Sequence, residues 1–213
     1  MVARGGLAIA KHGPSETRVE ETVSINGPEG VAFINTEYPG RPHGPHDSGA
    51  GPASLLALVG FLGLTLLVGA ADGVVTATGV HTWYLSLTQP PGTPPNWVFG
   101  PVWSALYAMV AVAAWLVWRS GASRAGERRS RPALRLWGWQ LLFNAAWTPA
   151  FFGLHSPPLA LAVILALVAL IVATMRAFAP VSRNAALLML PYLAWTCYAS
   201  YLTAGFLYLN PHA

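Results

Sequence analysis

The sequence predicts an all-α membrane protein, a bundle of five transmembrane helices behind a disordered N-terminal tail. Three observations carry this reading. Hydrophobic residues make up 54% of the 213-residue chain and charged residues only 9%, against about 25% charge in a soluble domain. Such a chain lacks the polar surface needed to cover a water-facing fold. Five apolar stretches also approach the ~20 residues that cross a bilayer. Lastly, all twelve Lys and Arg residues fall on one side of a five-span arrangement.

The tail covers residues 1–52. It holds six of the eight acidic groups, four of the twelve basic ones and repeated Gly-Pro pairs, with no sustained apolar period. That composition cannot bury enough surface to offset the entropy of ordering, so the segment reads as disordered. Its first apolar patch, Gly5 to Ala10, is too short for a signal peptide and is followed at once by Lys11 and His12. His43 and His46 form an H-x-x-H pair; in a Gly/Pro-rich context a metal site is not expected there.

Residues 53–213 form the membrane domain. Its predicted spans run from Ser54 to Thr76, Val98 to Trp118, Ala133 to Phe152, Leu159 to Phe178 and Ala185 to Leu209. Short connections after the third and fourth make sequential helices antiparallel neighbours. Arg119, Arg124, Arg128, Arg129, Arg131 and Arg135 crowd the connection between spans two and three, while Arg176 and Arg183 flank that between four and five. Positive residues stay on the cytoplasmic side, so the N-terminus is expected in the cytoplasm and the C-terminus outside. The +4 net charge follows from this asymmetry and does not indicate a nucleic-acid partner.

The connection between spans one and two is unusual. Trp83 to Trp103 carries three Trp, a Tyr, a Phe and five Pro without one charge. Pro90, Pro91, Pro94 and Pro95 stiffen the backbone and forbid a regular helix. The indoles suit a membrane–water boundary or the grip on a flat apolar ligand.

Helical spacing then sorts the side chains. Gln140, Asn144, Trp147 and Phe151 share one face of span three; Phe99, Trp103 and Tyr107 share one face of span two. Tyr192, Trp195, Ala199 and Leu202 stripe the fifth span, entered through Pro191. Amides facing lipid would lack partners, so these faces are expected to look inward, with Gln140 and Asn144 as orienting polar groups of an aromatic pocket. Helix packing accounts for the same spacing equally well. Trp115, Trp118, Trp137 and Trp139, near helix ends beside the arginines, read as an interfacial belt. Gly69 and Gly73 suit close helix packing within the monomer more than a dimer contact. Asp72, the one acidic residue inside a span, carries an insertion cost of about 2.5–3.5 kcal/mol; it is expected to be neutral, to face the bundle interior or to sit at the interface. Cys197 reads as inert packing, and one cysteine excludes an internal disulfide framework. No nucleophile–base pair, phosphate loop or metal-ligand cluster appears in the spans, which excludes a conventional hydrolase or ATP-driven pump.

Three motifs then carry a family resemblance. W-Y-x-x-L stands at Trp83-Tyr84 and Leu87, ahead of P-P-x-W-V-F-x-P-V-W from Pro94 to Trp103 and L-Y at Leu106-Tyr107. Q-x-x-x-N-x-x-W-x-x-x-F-F follows at Gln140, Asn144, Trp147, Phe151 and Phe152. P-Y-x-x-W-x-x-x-A closes the set at Pro191, Tyr192, Trp195 and Ala199. From about residue 55 to 210 the chain resembles the tryptophan-rich sensory protein/translocator protein (TspO/MBR) family. The resemblance implies a five-helix membrane fold, able to form a homodimer, that binds protoporphyrin IX or haem and requires no cofactor. It implies a pocket under the first connection, lined by Tyr84, Trp103, Asn144, Trp147, Trp195 and Ala199. It also implies an alternative activity, light-dependent protoporphyrin degradation needing Trp103 and Trp195; a third alternative is a regulatory membrane interaction protein without a small-molecule ligand. Animal relatives bind cholesterol through Leu or Val, Tyr and a basic residue near the C-terminus. Here Leu207-Tyr208 is followed by no Lys or Arg, so cholesterol is not supported. His81 and His155 are the histidines that could ligate haem iron from the outer side.

Overall fold

The computed structural model of the protein describes residues 22–24, 33–35, 51–79, 83–121 and 124–211. It divides into two units, 1–49 and 50–213. In the first, β1 (Thr22–Ser24) pairs antiparallel with β2 (Phe33–Asn35). The rest of the predicted tail, with His43 and His46, lies outside the described residues, as does His81.

The second unit is helical. Helix α1 spans Pro52–Gly79, α2 Phe99–Ser120, α3 Arg124–Thr148, α4 Pro157–Phe178, α5 Arg183–Leu188 and α6 Leu190–Leu209. Prolines punctuate it as expected for a residue that donates no backbone hydrogen bond. Pro94 and Pro95 precede a single 3-10 turn, Asn96–Val98, that leads into α2. Pro149 turns the end of α3 into a wide π-turn, Pro149–Gly153, closed by Leu154 N–H to Pro149 O at 2.8 Å. His155, at φ 49°, then reverses the chain, and Pro157 opens α4. Ser182 caps α5, its hydroxyl accepting from Ala185 N–H at 3.3 Å. The break before Pro191 divides the predicted fifth span into α5 and α6.

Four stretches are long and apolar enough to cross a membrane: Pro52–Thr78, Asn96–Ser120, Pro157–Phe178 and Arg183–Leu209. Helix α3 has 25 residues but is outside that set, because five arginines and Glu127 fall between Arg124 and Arg135. The count of five spans thus rests on a helix whose first half is strongly charged.

Helix α3 packs on α4, α1 on α2, and α4 on α6. The core joins Val110, Ala114 and Val117 of α2 to Ala133, Trp137 and Leu141 of α3, Leu167 and Ile171 of α4, and Met189 beyond α5. Trp137 corrects the belt expectation: it is buried, edge-on to Phe61 at 5.3 Å, and its indole donates to Val110 O at 3.2 Å. Trp118 and Trp139 are exposed, and Trp115 donates to Ser54 O at 2.8 Å while its ring carries Arg119. Cys197, expected to be packed, is exposed. Leu56 and Val74 of α1 are 72% and 68% exposed, an outward apolar face suited to acyl chains.

Gly69 has a specific packing role. A Cβ there would lie 2.7 Å from the Tyr107 ring, whereas one at Gly73 meets nothing within 4 Å. Gly69→Ala should therefore lower the melting temperature in detergent, since overpacking costs about 1–3 kcal/mol against the roughly 1 kcal/mol that Ala gains over Gly in a helix. Gly73→Ala should hold or raise it. Equal melting curves for both variants would refute the close approach of α1 to Tyr107.

Candidate ligand chamber

Between α1, α2, α3, α4 and α6, beneath the α1–α2 connection, lies a cavity of about 550 Å³. That volume suits a small-molecule site, which ordinarily occupies about 300–1,000 Å³. Its walls are largely aromatic: Tyr84, Phe99, Trp103, Trp147, Phe151 and Phe152. Trp147 stacks on Phe151 with centroids 5.6 Å apart, and Trp103 lies tilted over Tyr107 at 5.5 Å.

One polar chain crosses these walls. Tyr107 OH donates to Asp72 Oδ2 at 2.9 Å and lies 2.6 Å from Asn144 Oδ1; Asn144 Nδ2 donates to Tyr192 OH at 2.9 Å. Thr148 lines the same wall. Residues of α1, α2, α3 and α6 are thus tied together through Asn144, which is 3% exposed. The sequence reading kept Asn144 free to orient a ligand; in the structure its amide already joins two phenols, leaving one N–H and one lone pair.

Of the six predicted pocket residues, Tyr84, Trp103, Asn144, Trp147 and Ala199 line the chamber. Trp195 does not: it packs edge-on to Phe99 at 6.1 Å and beside Tyr198 at 5.6 Å. It stands one turn before Ala199 on the same face, and its ring rests against Phe99, itself a wall residue, so that it backs the wall instead of lining it. Gln140 is likewise absent from the wall. It is fully buried, and both amide atoms lack a hydrogen-bond partner among the described residues. Trp147 Nε1 is also buried without a protein partner, a donor on a chamber-lining side chain. Burial pushes the Tyr84 phenol above its ordinary range, with Tyr198 adding to the rise, so it remains a neutral hydroxyl. His155 is exposed and stacks on Trp83 at 4.6 Å. Among the described residues no cluster of three metal-ligating side chains occurs.

The connection is latched to α6. Asn210 pairs with Thr88 through both its amide atoms, at 2.8 and 3.0 Å, while Tyr198 OH donates to Gly92 O at 2.6 Å and Tyr201 OH to Pro91 O at 3.1 Å. Gly92 takes φ 85°, where a Cβ would be strained. Gly205 gives Pro90 room, since a Cβ would come within 2.7 Å of its ring. Sequence reasoning missed these latches: their partners lie more than 100 residues apart, with no local pattern to announce them. The part of Tyr107 had a faint signal, its position one turn beyond Trp103.

These features define a helical membrane protein with a partly open, aromatic-lined cavity under a pinned connection. The TspO/MBR family profile matches residues 61–209. The chain is 39% identical over 157 residues to the tryptophan-rich protein TspO of Chlorobaculum tepidum, an alignment covering 74% of this chain and 98% of that one. It is 34% identical to the tryptophan-rich protein TspO of Archaeoglobus fulgidus, covering 74% and 99%. It is 35% identical to the translocator protein of Bos taurus, covering 68% and 84%. The chain belongs to the TspO/MBR family, an integral membrane family, and membership supports a membrane sensor or transporter role.

Proposed function

We propose that this protein binds a tetrapyrrole, protoporphyrin IX or haem, as a membrane sensor or transporter, with the ligand held in the aromatic chamber under the α1–α2 connection. The observation that carries the reading is a single chamber of about 550 Å³ walled by indole and phenyl rings, with a buried indole N–H of Trp147 left without a protein acceptor. A porphyrin is a broad apolar plate; Trp103 and Trp147 would stack on it, while Tyr84 and the Trp147 N–H supply donors. In this reading α3 also crosses, as the third of five spans, the N-terminus lies in the cytoplasm and the C-terminus outside. No cofactor is needed, the bilayer is the solvent, and two copies are free to pair.

Catalysis is the weaker reading. Light-dependent degradation would call on Trp103 and Trp195, and only Trp103 faces the chamber. The full chain in detergent should show saturable quenching of tryptophan fluorescence by protoporphyrin IX in the dark, and the Soret band should survive illumination. Loss of that band in the wild type but not in Trp103→Phe would replace binding with catalysis. Absence of saturable quenching would remove the tetrapyrrole assignment.

A further inference from the structure

We propose that Asp72 is the recognition group of the chamber, selecting flat aromatic ligands that present a protonated nitrogen or a ring N–H, and so a metal-free porphyrin over haem, and holding ligand carboxylates out at the mouth. This rests on the reading of the chamber as the ligand site and narrows the class of molecule it takes.

The inventory of the wall is one-sided. Among the described residues Asp72 is its one acidic side chain, and no Lys, Arg or His lines it. Each packed element contributes neutral groups around the carboxyl: Tyr107 and Ser104 from α2, Asn144 and Thr148 from α3, and Tyr192 of α6 at one remove through Asn144. No cation on the wall neutralises Asp72 and none is there to receive a ligand carboxylate. The remaining surface is apolar, made of aromatic rings such as Tyr84, Trp103, Trp147 and Phe152 together with aliphatic side chains such as Leu66, Ile164 and Leu202. Aromatic faces are electron-rich and attract cations. An aromatic enclosure with a lone carboxyl is therefore a cation and N–H donor site by its electrostatics. A carboxylate brought inside would meet both the ring faces and Asp72 without compensation.

The hydrogen-bond inventory points the same way. The Tyr107 hydroxyl carries one proton and lies within hydrogen-bonding range of two acceptors, Asp72 Oδ2 at 2.9 Å and Asn144 Oδ1 at 2.6 Å. It can satisfy one at a time. A carboxyl has acceptor capacity well beyond one shared phenol, and the unused part belongs to a chamber-lining group. Approach is open on one side: Gly73 follows Asp72 on its helix and lines the chamber with nothing within 4 Å of where a Cβ would stand, while Gly69 is covered by the Tyr107 ring. A ring nitrogen can reach the carboxyl where bulkier neighbours would screen it.

The test uses one ring system with three charges: 9-aminoacridine (cation), acridine (neutral) and acridine-9-carboxylate (anion), titrated against the full chain in detergent with protein-free micelles as the partition control. The wild type should bind the cation about tenfold or more tighter than the anion. Asp72→Asn keeps the shape and an acceptor for Tyr107, and should collapse that ratio to about threefold or less while leaving acridine little changed. Asp72→Ala is the second variant and should collapse it likewise. An undiminished ratio in a folded Asp72 variant overturns the proposal. Ala199→Phe separates the two readings: unaltered binding of all three probes would show that they bind elsewhere, removing the chamber assignment itself. Loss of binding in Ala199→Phe together with an unchanged ratio in Asp72→Asn would remove only the role given to Asp72.

Discussion

Asn144→Ala should cost about 0.6–3 kcal/mol of helix packing and weaken protoporphyrin binding about tenfold or more. The amide is the one residue that joins Tyr107 of α2 to Tyr192 of α6. Removing it leaves the Tyr192 hydroxyl without its partner in a side chain only 2% exposed, while Tyr107 keeps Asp72. An unsatisfied buried hydroxyl costs about 1–3 kcal/mol. Helices in a membrane find substitute partners, and measured interhelical hydrogen bonds there average nearer 0.6 kcal/mol, which sets the lower bound. Thermal unfolding in detergent gives the first number and fluorescence quenching the second. A cycle with Tyr192→Phe should be less than additive, because both changes remove the same bond. An unchanged melting temperature in Asn144→Ala would mean that the chain of polar groups does not hold the bundle together.

Ala199→Phe should abolish ligand binding, by about tenfold or more, while leaving the fold intact. Ala199 lies on the chamber wall beside Leu202 and Thr203. A phenyl ring placed there occupies part of the 550 Å³ that a flat ligand needs. In a filled core such an enlargement would strain its neighbours by about 1–3 kcal/mol; here the cavity takes up the ring, so the melting temperature should hold. The combination of lost quenching and retained stability is the signature of a filled site. Trp195→Phe is the matched comparison. Its ring lies off the wall, and affinity should stay at the wild-type level. Equal losses in both variants would point to general loosening of α6.

Much of the domain was legible in the chain. The apolar runs located the helices because the bilayer imposes a minimum length, and Pro94 and Pro95 marked the connection ahead of α2 through the missing N–H, whereas Pro149 and the break before Pro191 interrupt spans expected to be continuous. The inward face of α2 followed from four-residue spacing, and Phe99, Trp103 and Tyr107 all reach the chamber. The same spacing misled at Gln140 and Trp195. Periodicity says which residues share a face but not how deep the neighbouring helix presses against it. Gln140 is sealed inside the bundle, and Trp195 backs the chamber wall by packing on Phe99. Trp137 misled for a related reason: nearness to arginines in sequence suggested the interface, yet its turn of α3 faces Val110 and Phe61.

By itself the sequence determined the class, the approximate places of the apolar spans, the charge asymmetry and the family motifs, since each depends on composition or on neighbours within a few residues. Only the tertiary structure decided that the aromatic connection is pinned to α6 by Tyr198, Tyr201 and Asn210. It alone brought Asp72, Tyr107, Asn144 and Tyr192 into one chain of hydrogen bonds. Those contacts join groups between 35 and 122 positions apart, and bond lengths near 3 Å depend on helix rotation and depth, quantities that no local pattern in a chain encodes.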